Sequence, residues 1–354
     1  MDKVRIGFVG VGAMGQMAHL RNYVNLPDCQ VAALAEIRPK LGKLVAERFG
    51  IPKVYEDHRA MLAAEKLDGV VASQPFNRHA VLLPDIYPAV KCVFTEKPLA
   101  VAVEAGERLV RQARAAGCVH MVGYHKRSDP ATMYARQVID ELKASGELGP
   151  MKYVRIVMPA GDWKANGFLG MLRAGDAPAA LEREPAPPGM DEAVAKKYVE
   201  FVNYYIHQVN LMRHLLTEPY QVAYAEPSGV LLAVRSASGV PGVIEMSAYR
   251  TTVDWQESAL VAFEKGYVHL RLPAPLASNR PGTVEVYRDP GGAVTPQRIE
   301  PTLPWVHAMS RQAANFVRVC RGEMAPPCEA AEAVEDLKVA RDYIRMFFAS
   351  AARQ

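Results

Sequence analysis

The feature that most restricts what this chain can fold into is the turn Val9-Gly10-Val11-Gly12-Ala13-Met14-Gly15, set between the apolar run Ile6 to Val9 and a helix-like stretch. Read physically it is a phosphate cradle. Gly10 allows a tight turn, Gly12 lets backbone approach a pyrophosphate with no side chain in the way, and Gly15 lets the following helix pack closely on the strand. The start of that helix, with Ala13 and Met14, offers free N–H groups and a positive dipole end to the phosphates. Glycine-rich turns occur in many loops, so the surroundings carry the weight. A second apolar run, Val31 to Ala35, ends at Glu36, twenty-one positions after Gly15. A dinucleotide fold places its ribose-binding carboxylate at about 20 residues. An ionised Glu36 disfavours a 2′-phosphate and points to NAD, while Arg38 puts a cation nearby and leaves NADP open.

The chain then alternates helix and strand. Pro39 to Phe49 reads as a helix stopped by Gly50, Arg59 to Glu65 as another, then the strand Gly69 to Ala72. Pro84 to Val90 reads as a short helix, Lys91 to Thr95 as a strand, Glu104 to Ala116 as a helix and Val119 to Gly123 as a strand. This βαβ grammar predicts a doubly wound parallel sheet with right-handed crossovers. Ligands bind beyond the carboxyl ends of such strands. There the sequence places Ser73, Gln74, Pro75, Asn77 and His79, then Glu96 and Lys97 with Pro98, then Tyr124, His125, Lys126 and Arg127. The first domain is expected to span 1–126.

Glu96-Lys97-Pro98, taken with the glycine turn and a later His207, resembles the glucose-fructose oxidoreductase / inositol dehydrogenase (Gfo/Idh/MocA) family over nearly the whole chain. The resemblance implies an N-terminal Rossmann domain followed by an α+β domain with a large, open-faced, mainly antiparallel sheet. It also implies hydride transfer between a nicotinamide and a secondary alcohol or ketone of a sugar, cyclitol or derivative, and a Lys-Pro peptide that is often cis. An ammonium at Lys97 suits a reacting oxygen, since it stabilises developing negative charge. The bland reading of Lys97 is a surface ion pair with Glu96.

At 354 residues the chain exceeds the usual single-core size of about 250 to 300, so a second domain is expected, over 127–354. Its strands read as Met151 to Met158, Val230 to Arg235, Gly242 to Tyr249, Ser258 to Phe263, Tyr267 to Leu272 and Thr283 to Tyr287, with a hairpin around Glu264-Lys265-Gly266. Gly161 to Lys197, rich in Gly, Ala and Pro, is too long for an ordinary connection and reads as a lid, a substrate-shaping loop, an oligomer arm or a passive excursion. Trp305 to Arg321 and Glu329 to Ala349 read as helices, and by the resemblance this segment, about 305–349, packs back toward the first domain.

Tyr198 to Thr217 reads as one helix whose apolar seam is Val199, Val202, Ile206 and Val209. Asn203, His207, Asn210 and His214 then form a polar stripe facing a cleft or a neighbour. His214, near the helix end, suits the dipole and a structural role. By the resemblance, Asn203 to His207 matches a D-x-x-x-H motif whose histidine is catalytic, with Asn203 standing where the family usually has Asp. An amide orients an imidazole but does not stabilise imidazolium as a carboxylate does, so Tyr204, Tyr205 and Tyr124 are candidate proton carriers beside His207. Tyr124, Lys126, Asn203 and Tyr204 join Lys97 and His207 as expected substrate contacts, with solvated charge as the alternative for Lys126 and Arg127.

The formal charge of +4, spread along the chain, argues against nucleic acid as partner. Cys29, Cys92, Cys118, Cys320 and Cys328 show no CxxC spacing, and no metal constellation is visible. No apolar stretch reaches membrane-spanning length, and Met1-Asp2-Lys3 leads straight into the first strand, so a cytoplasmic protein is expected. A homo-oligomer through the open sheet is the expected assembly. Two other functions fit the same motifs: a lyase or glycosidase that keeps NAD bound through a closed redox cycle, and a non-catalytic dinucleotide binder.

Overall fold

The structure, a computed structural model, describes residues 2–177 and 180–351. Contacts divide it into two units. The first comprises Met1–Tyr124, Asn166–Met190 and Met309–Glu335, and the second His125–Ala165, Asp191–Ala308 and Asp336–Gln354.

In the first unit six strands, β1 (Val4–Val9), β2 (Cys29–Ala35), β3 (Val54–Tyr55), β4 (Gly69–Ala72), β5 (Cys92–Glu96) and β6 (Val119–Gly123), form a sheet ordered β3-β2-β1-β4-β5-β6. Every pairing is parallel. Strands buried on both faces need continuous apolar runs; Ile6, Phe8, Val70, Val71, Val93 and Phe94 have no exposed surface. The helix Pro39–Phe49 begins with Pro at its first turn and ends at Gly50 in the left-handed conformation, which a glycine adopts at little cost. The helix His58–Ala64 is capped by the Asp57 carboxylate. One local expectation fails: the helix around Pro84 starts earlier, at His79, and carries Pro84 inside it.

The boundary expected at 126 falls between Tyr124 and His125, and residues 166–190 do not join the second unit as the sequence suggested. Leu172 and Ala174 pack against the core of the first unit, beside Leu41, Val45 and Ala46 among others. Backbone and side-chain hydrogen bonds tie the same segment to Gln16, Lys40, Asn77, Ala80 and Val101. Of the segment 161–197, residues 178 and 179 lie outside the described residues.

In the second unit β7 (Met151–Ala160), β8 (Tyr220–Ala225), β9 (Leu231–Ser236), β10 (Pro241–Arg250), β11 (Glu257–Phe263), β12 (Gly266–Leu272), β13 (Thr283–Arg288) and β14 (Gln297–Ile299) form one sheet ordered β14-β13-β12-β11-β7-β10-β9-β8. All neighbours are antiparallel except β7 and β10. Strands β8 and β14 escaped the sequence reading. The helix Pro130–Ser145 packs on β12 and β13, and the helix Ile206–Leu216 on β7 and β10. The period of two along β11 shows the consequence: Ala259, Val261 and Phe263 are buried, while Leu260 and Ala262 on the other face are half-exposed. On that face Leu260, Ala262, Tyr267, Tyr287 and Asp289 line a shallow depression of about 550 Å³.

The stretch expected as one helix is two. Glu192–Tyr204, capped by Asp191, stops at Tyr205, and Ile206–Leu216 follows. Asn203 thus lies in the last turn of the first helix and His207 in the first turn of the second, with Tyr205 between them.

Candidate functional site

The first unit gathers its chemistry at the carboxyl ends of β1, β2, β4 and β5. Gly10 has φ +89°, and a Cβ there would collide with the Gln74 amide and the Ser73 carbonyl. A Cβ on Gly15 would stand 2.6 Å from the Gly10 carbonyl oxygen. These two glycines are demanded by the protein's own packing. Gly12 is different. Its backbone is not left-handed, and a Cβ there would meet only the Arg38 guanidinium, at 3.9 Å. Open space beside a glycine that neither conformation nor packing requires is what a backbone cradle for phosphate presents. Ala13 and Met14 are half-buried beside it, and the Gln16 amide bonds the Gly12 carbonyl at 2.9 Å.

Glu36 is 3% exposed and fully engaged. Its Oε2 accepts from the Val11 amide at 2.9 Å and from Arg38 Nη2 at 3.0 Å, and its Oε1 accepts from the Arg38 amide at 3.2 Å and Nε at 2.7 Å. The carboxylate thus ties the end of β2 to the glycine turn. Gln74 braces the same turn, its amide donating to the Val9 carbonyl at 3.2 Å. Ser73 and Asn77 are half-buried and Pro75 exposed.

His79 does not face a ligand. It is fully buried, one ring nitrogen 2.9 Å from the Leu99 carbonyl, and burial pushes its pKa down to about 4. It anchors the chain just beyond the Lys97–Pro98 peptide, which is cis. Glu96 lies 2.7 Å from His19 Nε2 and accepts from the Lys97 amide at 3.2 Å, and the Lys97 charge acts on it as well. Burial raises the Glu96 pKa, but the His19 hydrogen bond and charge, with Lys97, outweigh it and leave the carboxyl below its ordinary range. His19 gave no sequence signal, because its partner lies 77 positions away. Lys97 itself is half-buried, and Tyr124 is 2% exposed.

In the second unit the His207 and His125 rings meet edge to face, centroids 4.6 Å apart. Asn203 is exposed and His207 half-buried. Tyr204 is half-buried, and burial raises its pKa above that of an ordinary phenol. Lys126 is not a solvated charge: it is 4% exposed, with Nζ 2.5 Å from Glu257 Oε2 and 5.7 Å from the centroid of the Trp255 ring. Glu257 also accepts from Gln208 Nε2 at 2.8 Å and Trp255 Nε1 at 3.1 Å. Arg127 is buried too, its Nε donating to Asn210 Oδ1 at 2.6 Å; Asn210 donates to Asp336 at 2.6 Å, and Arg213 Nε reaches Asp336 at 2.9 Å. His214 is kept neutral rather than used as a dipole-compensating cation. Burial, then the charges of Arg127 and Arg136, hold its pKa well down, and Arg136 donates to its carbonyl at 3.0 Å. Among the described residues no cluster of His, Cys, Asp and Glu is arranged to hold a metal ion, and no helix is long and apolar enough to cross a membrane. Cys29, Cys92, Cys118 and Cys328 are buried and Cys320 is half-buried, none of them in a disulfide.

Residues 4–124 match the model of the Gfo/Idh/MocA oxidoreductase family with an NAD-binding Rossmann fold. That stretch, about a third of the chain, is similar to the NAD-binding Rossmann domain of this family. The model describes oxidoreductases whose Rossmann fold binds NAD. The inositol 2-dehydrogenase of Rhizobium meliloti is 24% identical over 91% of each chain. The myo-inositol 2-dehydrogenase of Thermotoga maritima is 22% identical over 69% of this chain and 68% of its own. A levoglucosan dehydrogenase solved with NADH shares the fold, with a TM-score of 0.74, 17% identity and coverage of 99% of this chain and 98% of that one.

Proposed function

We infer that the chain is an oxidoreductase acting on a secondary alcohol, or the corresponding ketone, of a cyclitol or sugar derivative. The relatives that act on inositol and levoglucosan support that substrate class, and the open space beside Gly12 is the observation in this chain that carries the cofactor reading. Gly10, Gly12, Ala13, Met14 and Gly15 would cradle the pyrophosphate, with Glu36 and Arg38 toward the adenosine ribose and Ser73, Gln74 and Asn77 along the strand ends. When bound, the nicotinamide supplies the hydride acceptor or donor.

The chain's own residues supply position and proton handling. Lys97 would hold the reacting oxygen, its ammonium stabilising negative charge as that oxygen loses its proton. His79 and Glu96 steady the lysine: one grips the Leu99 carbonyl, the other accepts from the Lys97 amide. His207 would exchange the proton, its ring set against His125. Lys126, neutralised by Glu257, would present a fixed ammonium rather than a mobile one. Assembly through the apolar open face around Leu260 and Tyr267, and a cytoplasmic site of action, complete the proposal.

The experiment is a panel of inositols, sugars, anhydrosugars and their keto forms, read by the 340 nm absorbance of the reduced cofactor. Stoichiometric NADH with a cyclitol or sugar is expected. Turnover of a substrate with no free NADH would favour a closed redox cycle, and tight dinucleotide binding without turnover on the whole panel would count against the substrate class.

A further inference from the structure

The segment 166–190 crosses the carboxyl ends of the strands in the first unit, held at both ends. Near its start, Leu172 and Gln16 exchange hydrogen bonds, the Leu172 amide to Gln16 Oε1 at 3.0 Å and Gln16 Nε2 to the Leu172 carbonyl at 3.2 Å. Near its end, the Glu184 carboxylate accepts from the Ala80 amide at 3.1 Å and the Val101 amide at 3.0 Å. Between them Asp176 reaches the first turn of the helix Pro39–Phe49, where its Oδ2 accepts from the Lys40 amide at 2.7 Å and, more weakly, the Leu41 amide at 3.4 Å. Its Oδ1 is buried with no hydrogen-bond partner among the described residues.

This contact lies where a dinucleotide fold places the adenosine ribose, immediately after the acidic end of β2. The Glu36 carboxylate, read from sequence as the group that rejects a 2′-phosphate, is neutralised by Arg38 through two hydrogen bonds and has spent its lone pairs inside the protein. Arg38 beside it would attract a phosphate, and so would the amides that open the helix. Two of those amides are covered by Asp176, whose negative charge also acts on Arg38 and so offsets the cation that would draw a phosphate. Resting on the dinucleotide reading above, we propose that Asp176 is the residue that sets cofactor choice: it occupies the anion-binding end of the helix, repels a 2′-phosphate and directs the enzyme to NAD over NADP.

The test is fluorescence titration of the apoprotein with NADH and NADPH in parallel, at low ionic strength, with no substrate present. Asp176→Asn keeps an acceptor for the helix amides and removes only the charge. Its NADPH dissociation constant should fall roughly tenfold, the scale of one lost charge contact near the surface, while that for NADH changes less than about twofold. Asp176→Glu should keep the wild-type preference. In the wild type, the preference should shrink toward ~1 M salt, where the Debye length is about 3 Å, a measurement that stands even if the variants fold poorly. An Asp176→Asn protein that binds NADH normally yet keeps the wild-type ratio overturns the inference alone, as does a wild-type preference indifferent to salt. A wild type that binds neither nucleotide overturns the dinucleotide reading and this inference with it.

Discussion

The two units bury charge for different ends. In the first, Glu36 with Arg38 and Glu96 with His19 sit at the ends of β2 and β5, each tying the strand end to its neighbour. In the second, Lys126 with Glu257 and Arg127 with Asn210, Asp336 and Arg213 lie inside, joining residues up to 131 positions apart. The first arrangement shapes a backbone surface whose recognition depends on glycine and on amides. The second holds together helices and the sheet that cover one another. Removing a group should therefore cost ligand binding in one unit and stability in the other.

The sharpest break of that contrast is Gly12→Val. A branched side chain would fill the open space beside Arg38, and NADH affinity in a titration should fall by on the order of 100-fold or more, with the thermal transition of the protein retained. Normal affinity would remove the glycine turn from the cofactor site. Lys97→Ala comes next: with the lysine's proposed place at the substrate oxygen, turnover should drop by about 10² to 10⁴ with NADH binding little changed. On its proposed role in exchanging the proton, His207→Ala should lower turnover to a similar degree. A His207→Ala enzyme with near-normal kcat would transfer the proton role to a neighbour such as Tyr204.

Asp336→Ala probes the second unit. It strands Arg213 and Asn210 in the interior and should cost about 3–5 kcal/mol in denaturant unfolding, without altering NADH affinity. Its counterpart in the first unit, Arg5→Ala, loses a partly exposed pair with Glu65 and should cost under about 1 kcal/mol. Equal costs would dissolve the distinction.

The pH response sharpens it further. Burial outweighs the amides of Ala131 and Gly282 and pushes the Asp129 carboxyl from 3.8 up to about 6. Because the folded value lies above the unfolded one, the associated stability is fully present below about pH 4. It is lost as pH rises through about 6, up to ~3 kcal/mol in all. Asp129→Asn should flatten that stretch of a stability-against-pH curve while keeping the cap on the helix Pro130–Ser145. A variant curve that still falls between pH 4 and 6 would assign the drop to another group.

What the sequence determined by itself is local and periodic. The glycine turn, the apolar runs of β1, β2, β4, β5 and β6, the alternation along β7 and β9 to β13, and the tripeptide Glu96-Lys97-Pro98 all express their structure within a few residues, because strand period, turn conformation and capping are short-range constraints. The break at Tyr205 was hidden, since an apolar seam at helical spacing runs through it without interruption. Only the tertiary structure decided that Lys126 is a buried ion pair, that His79 serves a carbonyl rather than a cofactor, that His19 holds Glu96, and that the segment 166–190 belongs with the first unit. Each of those outcomes depends on a partner between 20 and 156 positions away. Side-chain charge and hydrogen bonding act through space over a few ångströms, and the order of residues along a chain does not reveal which distant group will fill that space.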